Sequence, residues 1–275
     1  MIEPNFSESQ LQQLVNTEIT IRLFLYKGQM YHPTVVSLIE EYDLGWDTAF
    51  YFPWLLETPH PKHRGCNFFI QYKLSELVEG ARGSEYSSWG CSYLRFKIPH
   101  QTKNGTTGKY FYDYNQFNHL KELADARYHT YYATNHIVYD HQIFRLADSQ
   151  QLLDDIPFLD VSLITGHHPK VTFTEHGSYF LLHSEANKID IVRWENIFHS
   201  VRKTKGTTLS EDVEYINELL IRAEERLGFS KEGGFLREKA KIAQVTESLR
   251  PIAEALIAAK YLRLYLNVYW YKMWG

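Results

Sequence analysis

Cysteine is scarce in this chain, at two residues in 275, methionine is almost as rare at three, and long uncharged apolar runs are missing. Cys66 and Cys91 are too few and too separated for a disulfide framework or a zinc site, which points to a reducing compartment. The opening Met1-Ile2-Glu3-Pro4-Asn5 has neither the positive start nor the apolar core of a secretory signal. Glu254, Lys260 and Arg263 interrupt the most apolar stretch, so nothing reaches the run of roughly eighteen uncharged residues that a membrane helix needs. Basic excess is missing too: 29 Lys and Arg stand against 33 Asp and Glu, a net charge of −4. Proteins held mainly by phosphates usually carry the opposite balance, so any polyanion contact is expected to be local. The expectation is a cytoplasmic protein with no membrane partner.

What is present is apolar surface in quantity, 44% of residues, enough for a full core. The run 66–73, Cys-Asn-Phe-Phe-Ile-Gln-Tyr-Lys, reads as a strand. Side chains at i and i+2 share a strand face, so Gln71 and Lys73 point together while Ile70 and Tyr72 pack the other side. Upstream, Asp47 in Gly45-Trp46-Asp47 opens another apolar run. A carboxylate, an amide oxygen and an ammonium brought together can hold a divalent cation through oxygen ligands and steady a phosphate or an attacking water.

The order of elements around these residues is regular. Val35, Leu38, Ile39 and Tyr42 recur at helical spacing after Pro33, which suits a helix first turn, with Glu40 and Glu41 at the helix end. Strands are expected over 49–54, 67–73, 93–98 and 130–133, with a helix over 115–127. This arrangement resembles the PD-(D/E)xK nuclease superfamily, the restriction-endonuclease-like fold, in the variant where Gln replaces the acidic residue before x-Lys. The matching stretch runs from about Pro33 to Thr134. The resemblance implies an α/β fold, a mixed sheet flanked by helices. It also implies a Mg2+ or Mn2+ site with Asp47 as main ligand, Glu41 or Glu40 as second ligand and the Gln71 carbonyl as a third. Glu18, in the preceding amphipathic stretch, is a further candidate for the helix glutamate. Lys73 would orient the attacking water or stabilise charge on the phosphorane. The amide at 71 removes one negative charge, which makes the cation lean harder on Asp47.

Basic clusters supply the candidate nucleic-acid contacts. Lys62 and Arg64 flank His63 in the long stretch between Asp47 and Gln71, and Arg95 and Lys97 share a strand face that a duplex backbone can meet. Lys103 and Lys109 flank a Gly-containing turn.

Beyond the resemblance, 171–174 and 178–182 flank Glu175-His176-Gly177 as a tight hairpin. His167, His168, His176 and His183 fit no metal-ligand spacing and read as structural or surface residues. Thr208 and Glu211 have capping-box spacing ahead of an apolar stripe, Val213, Ile216, Leu219, Leu220, Ala223 and Leu227. A second helical stretch begins near Phe235, with a bend or break expected at Pro251. Tyr261, Tyr265 and Tyr269, with Trp270, Tyr271 and Trp274, suggest that this helix ends in an aromatic stripe buried against its own chain or a second subunit. The expected division is a nuclease-like core over 1–135, a strand-rich extension over 136–205 and a helical region over 206–275. Function is expected to be metal-dependent cleavage of nucleic acid, DNA above all, in restriction or phage defence by a possible homodimer. The alternative is a non-catalytic interaction protein that keeps the fold and binds a protein through its aromatic C-terminal helices.

Overall fold

The structure is a computed structural model that describes residues 1–27, 33–35, 48–50, 64–81, 83–103, 109–184, 187–203, 207–227, 234–247, 249–266 and 268–274. In chain order its first half contains α1 (Glu8–Lys27), β1 (Pro33–Val35), β2 (Thr48–Phe50), β3 (Arg64–Lys73), β4 (Glu76–Val78), α2 (Tyr86–Trp89), β5 (Tyr93–Lys97), β6 (His100–Lys103), β7 (Tyr110–Asp113), α3 (Asn115–Asp125) and β8 (His129–Thr134). The second half contains α4 (Asp140–Asp148), α5 (Leu152–Asp155), β9 (Phe158–Asp160), β10 (Lys170–Phe173), β11 (Tyr179–Leu182), β12 (Asn187–Asp190), α6 (Trp194–Lys203) and β13 (Thr207–Thr208). It closes with α7 (Leu209–Leu227), α8 (Phe235–Lys241), α9 (Arg250–Leu266) and β14 (Tyr269–Trp274). The chain is α/β, with sheets flanked by helices and a helical C-terminal region. Among the described residues no helix is long and apolar enough to cross a membrane. Two compact units divide it: Met1–Ile21 with Ile70–His199, and Arg22–Phe69 with Ser200–Gly275.

The first unit holds an antiparallel sheet in the order β12-β11-β10-β5-β4, so the strand-rich stretch after 136 shares a sheet with residues 76–97. Alternation sets its two faces. Val171 lies opposite Phe96 and Leu182, and Phe173 opposite Leu94. These side chains and Phe180 are buried on one side, where Phe180 meets Phe173 and Phe96 edge to face. Glu76, Arg95 and Thr172 line up across the other side. There Trp89 of α2 donates to Thr172 Oγ1 at 2.9 Å and stacks on Tyr179. The expected hairpin is β10–β11, closed by Gly177 N–H donating to the Thr174 carbonyl at 2.9 Å.

The C-terminal part of β3 belongs to this unit and lies beside β8, which pairs antiparallel with β9 on its other edge. Ser75 and Asn135 follow the ends of β3 and β8. Asn135 Oδ1 accepts from Ser75 N–H at 2.7 Å and its Nδ2 donates to the Ser75 carbonyl at 2.9 Å. With their C-terminal ends tied together, the two strands run in the same direction, and α3 lies in the crossover that such a pair requires. Phe117, Leu120, Leu123 and Ala124 form the buried stripe of α3, which packs on β8. Ile70, Gln71, Tyr72 and Lys73 are all buried, so the end of β3 is covered on both faces. Tyr72 Oη donates to Asn16 Oδ1 of α1 at 2.7 Å.

In the second unit α7 packs on α9 through Val213, Ile216, Leu219 and Leu220 and through Ile252, Ala255, Ala258 and Leu262. The Thr208–Glu211 capping box forms: Glu211 Oε2 accepts from Thr208 N–H at 2.6 Å, and Glu211 N–H donates to Thr208 Oγ1 at 3.2 Å. Three local expectations are corrected here. Pro33 opens a strand, not a helix, and pairs with Phe50; a proline suits a strand start as well as a helix first turn. Pro251 sits in the first turn of α9, where its missing N–H costs nothing, and the interruption falls earlier, between α8 and α9. The aromatic stripe leaves the helix after Leu266: Tyr269–Trp274 is a strand that pairs with β3, and Trp270 stacks on Phe69 at 6.3 Å. Aromatic residues favour strands, and pairing along β3 supplies the backbone partners that a frayed last turn would lack. Tyr261, Leu266 and Trp270 are buried against their own chain.

Candidate functional site

Lysine is seldom buried, because its ammonium loses hydration and its long stem loses rotamers. Lys73 is only 6% exposed. Its Nζ donates to Gln116 Oε1, near the start of α3, at 3.1 Å. Burial pulls its pKa below the ordinary lysine value, and the negative charge of Glu8 pulls it partly back. Glu8 is fixed by a capping box that opens α1: Ser7 N–H donates to Gln10 Oε1 at 2.8 Å and Gln10 N–H donates to Ser7 Oγ at 3.1 Å. This places the carboxylate in a helix first turn, where the backbone dipole favours it.

Lys73 opens onto a cleft of about 430 Å3 whose other charged walls are Glu3, Glu8, Glu76, Arg95 and Lys97. The cleft thus unites three residues singled out by sequence, Lys73, Arg95 and Lys97. Gln71 shares the Lys73 strand face, is fully buried and does not line the cleft. Arg95 is engaged by carboxylates rather than turned outward. Its Nε donates to Glu76 Oε1 at 2.8 Å and its guanidinium reaches Glu85 Oε2 at 3.4 Å, leaving it 15% exposed. Lys97 is exposed.

Asp47, Glu40, Glu41 and Lys62 lie outside the described residues. Arg64 is the first residue of β3, opposite Thr208. Glu18 is buried and accepts from Leu153 N–H at 3.1 Å, which caps α5 and takes it away from the Lys73 cleft. Among the described residues no group of three or more His, Cys, Asp and Glu side chains is set to hold a metal ion. The histidines have other uses: His167 stacks on Tyr114, His168 Nδ1 meets Ser184 Oγ at 2.9 Å, and His183 Nε2 meets Thr172 Oγ1 at 2.7 Å.

Sequence reasoning missed Glu8 and Glu85. Glu8 carried a local signal, the Ser7-x-x-Gln10 box, but nothing in it pointed to Lys73. Glu85, 6% exposed beneath Arg95, accepts from Tyr93 Oη and Lys170 Nζ, both at 2.9 Å. Comparison with family models, with curated proteins and with solved structures gives no match for this chain.

Proposed function

We propose that the chain is a metal-dependent nuclease, acting on DNA above all, with its reaction centred on the Lys73 cleft. The observation that carries this reading is Lys73 itself, a buried lysine with a lowered pKa, facing a solvent-open cleft beside the Glu8 carboxylate. Such perturbed groups concentrate where chemistry is done. In chain order α3 and β8 come after the Gln-x-Lys strand, as the resemblance expects, with β4 to β7 between them, and β5, expected beside that strand, lies in the other sheet. The Mg2+ or Mn2+ ligands that the family resemblance implies are Asp47 with Glu41 or Glu40, which lie outside the described residues, and Gln71, which does not line the cleft, so the reading rests on Lys73 and oxygen ligands are what such a cation would need. The cation would supply Lewis-acid activation of water and phosphate. Lys73 holds its proton near the scissile phosphate and offsets charge as the water oxygen bonds to phosphorus and the bond from phosphorus to the ester oxygen breaks; the proton given up by the water passes through solvent to the leaving oxygen. Arg95 serves the cleft by fixing Glu76, while Lys97 is the cation presented to the phosphate backbone. A role in restriction or phage defence is the setting that the family resemblance suggests.

The test incubates purified protein with plasmid, linear DNA and RNA in magnesium, manganese or chelator, beside Lys73→Met. Cleavage that needs metal and falls by about two to four orders of magnitude in the variant is expected. Circular dichroism and thermal unfolding check that the variant is folded, because the substitution removes the donor that Lys73 offers to Gln116 Oε1. Absence of cleavage in every lane would favour a non-catalytic interaction protein, and wild-type turnover by Lys73→Met would move the site elsewhere.

A further inference from the structure

Both ends of the β6–β7 hairpin are rooted at the Lys73 cleft. β6 follows directly on Lys97 and Pro99, which line it, and β7 runs through Tyr114 into α3, whose Gln116 accepts from Lys73. The ribbon has two strands, and on β7 three successive rings face solvent: Tyr110 is 68% exposed, Phe111 50% and Tyr112 47%. Successive strand residues alternate between faces, so rings project on both sides of the ribbon. They continue inward as a row: Tyr112 meets Tyr114 edge on at 6.4 Å, Tyr114 lies flat on His167 at 4.2 Å, and buried Phe117 closes the row. Exposed rings in such number are costly unless something covers them.

Charge identifies the occupant. Between Glu85 and Asp113 there is no Asp or Glu, and this interval carries Lys97, Lys103 and Lys109, besides Arg95, which Glu76 and Glu85 neutralise, in a chain whose net charge is −4. Lys97 at the root and Lys109 beside Tyr110 are exposed. Rings that offer their faces, set in a stretch free of carboxylates, suit a polyanion with accessible base faces. That describes a single strand; a duplex hides its base faces within its own stack.

We propose that the β6–β7 hairpin is a stacking arm that binds a single-stranded segment of nucleic acid through Tyr110, Phe111 and Tyr112 and leads it to the Lys73 cleft. The inference rests on the nuclease reading for what happens at the cleft, and on the hairpin alone for binding. It is tested on the full chain in chelator by fluorescence anisotropy with labelled oligothymidylate, oligouridylate and a blunt DNA duplex. The variants are Tyr110→Ala, Phe111→Ala, Tyr112→Ala and the ring-preserving Tyr110→Phe, each checked for its fold by circular dichroism. Single strands should bind at least about tenfold more tightly than duplex, each alanine should weaken binding by on the order of tenfold, and Tyr110→Phe should retain it. The two single-stranded probes separate DNA from RNA. Equal affinities of wild type and alanine variants, tighter duplex binding, or no binding by wild type would overturn the proposal. So would an alanine variant that changes the mass in light scattering but not the affinity, since the rings would then cover another protein. Ring-dependent binding without cleavage by wild type in metal would leave the arm standing and remove the nuclease reading; cleavage with an unchanged KM in the alanine variants would do the reverse.

Discussion

Glu85→Gln keeps the shape of a side chain that is 6% exposed and removes its charge. The carboxylate accepts from Ser84 Oγ, Tyr93 Oη and Lys170 Nζ, and lies 3.4 Å from Arg95. Burial alone would raise its pKa. Hydrogen bonds from Ser84, Lys170 and Tyr93, with the Lys170 charge, outweigh burial and hold it at about 2 against an ordinary 4.5. At about 1.36 kcal/mol per pH unit, that difference corresponds to ~3 kcal/mol of stability. The folded value is the lower one, so the contribution is complete above the unfolded pKa and is lost as pH falls through 4.5 toward 2. About 2 kcal/mol of it should be gone by pH 3. Gln cannot titrate, so the variant lacks this segment of the pH dependence. Urea unfolding followed by circular dichroism at pH 7 and pH 3 measures both chains. The gap between them should be ~3 kcal/mol at pH 7 and shrink to about 1 at pH 3. A gap that stays constant would refute the reasoning, because the Glu85 charge would then not be what its donors stabilise.

Asp47→Ala should lose both cleavage and magnesium binding, since with an amide at 71 few other anionic ligands remain in the proposed set; calorimetry with unchanged metal affinity would reassign the ligand. Gly234→Ala should destabilise the helical unit by about 2 kcal/mol or more, as seen in thermal unfolding. A methyl there overlaps Glu224 Oε1 and sits 2.8 Å from Tyr265 Oη, and the buried Glu224 carboxylate holds Tyr265 Oη at 3.1 Å and Leu236 N–H at 3.3 Å. Ending the chain at Lys260 removes the buried Tyr261, Leu262, Leu266 and Trp270. At ~1.5–3 kcal/mol each, their loss rivals the whole stability of a domain, so an insoluble product is expected, and a soluble one with unchanged melting temperature would refute the packing described.

Local chemistry made much of the fold legible. Short runs of aromatic and β-branched residues marked β5, β8, β10 and β11, an apolar stripe at helical spacing marked α7, and the Thr208–Glu211 pair marked the start of a helix, because each of these signals is complete within a few residues. The pairing of Gln71 and Lys73 on one face followed from strand geometry alone. Their burial did not, since it depends on what α1 and α3 bring against β3 from far along the chain. Tertiary contact decided the ambiguous cases as well. Pro33 and the aromatic tail were compatible with helix until pairing with Phe50 and with β3 made them strands. The polar arrangement was beyond local reading: Glu8 reaches Lys73 across 65 positions and Glu85 reaches Lys170 across 85. A side chain's periodicity reports which way it points along its own element. Which charge awaits it there is set only when distant elements fold together.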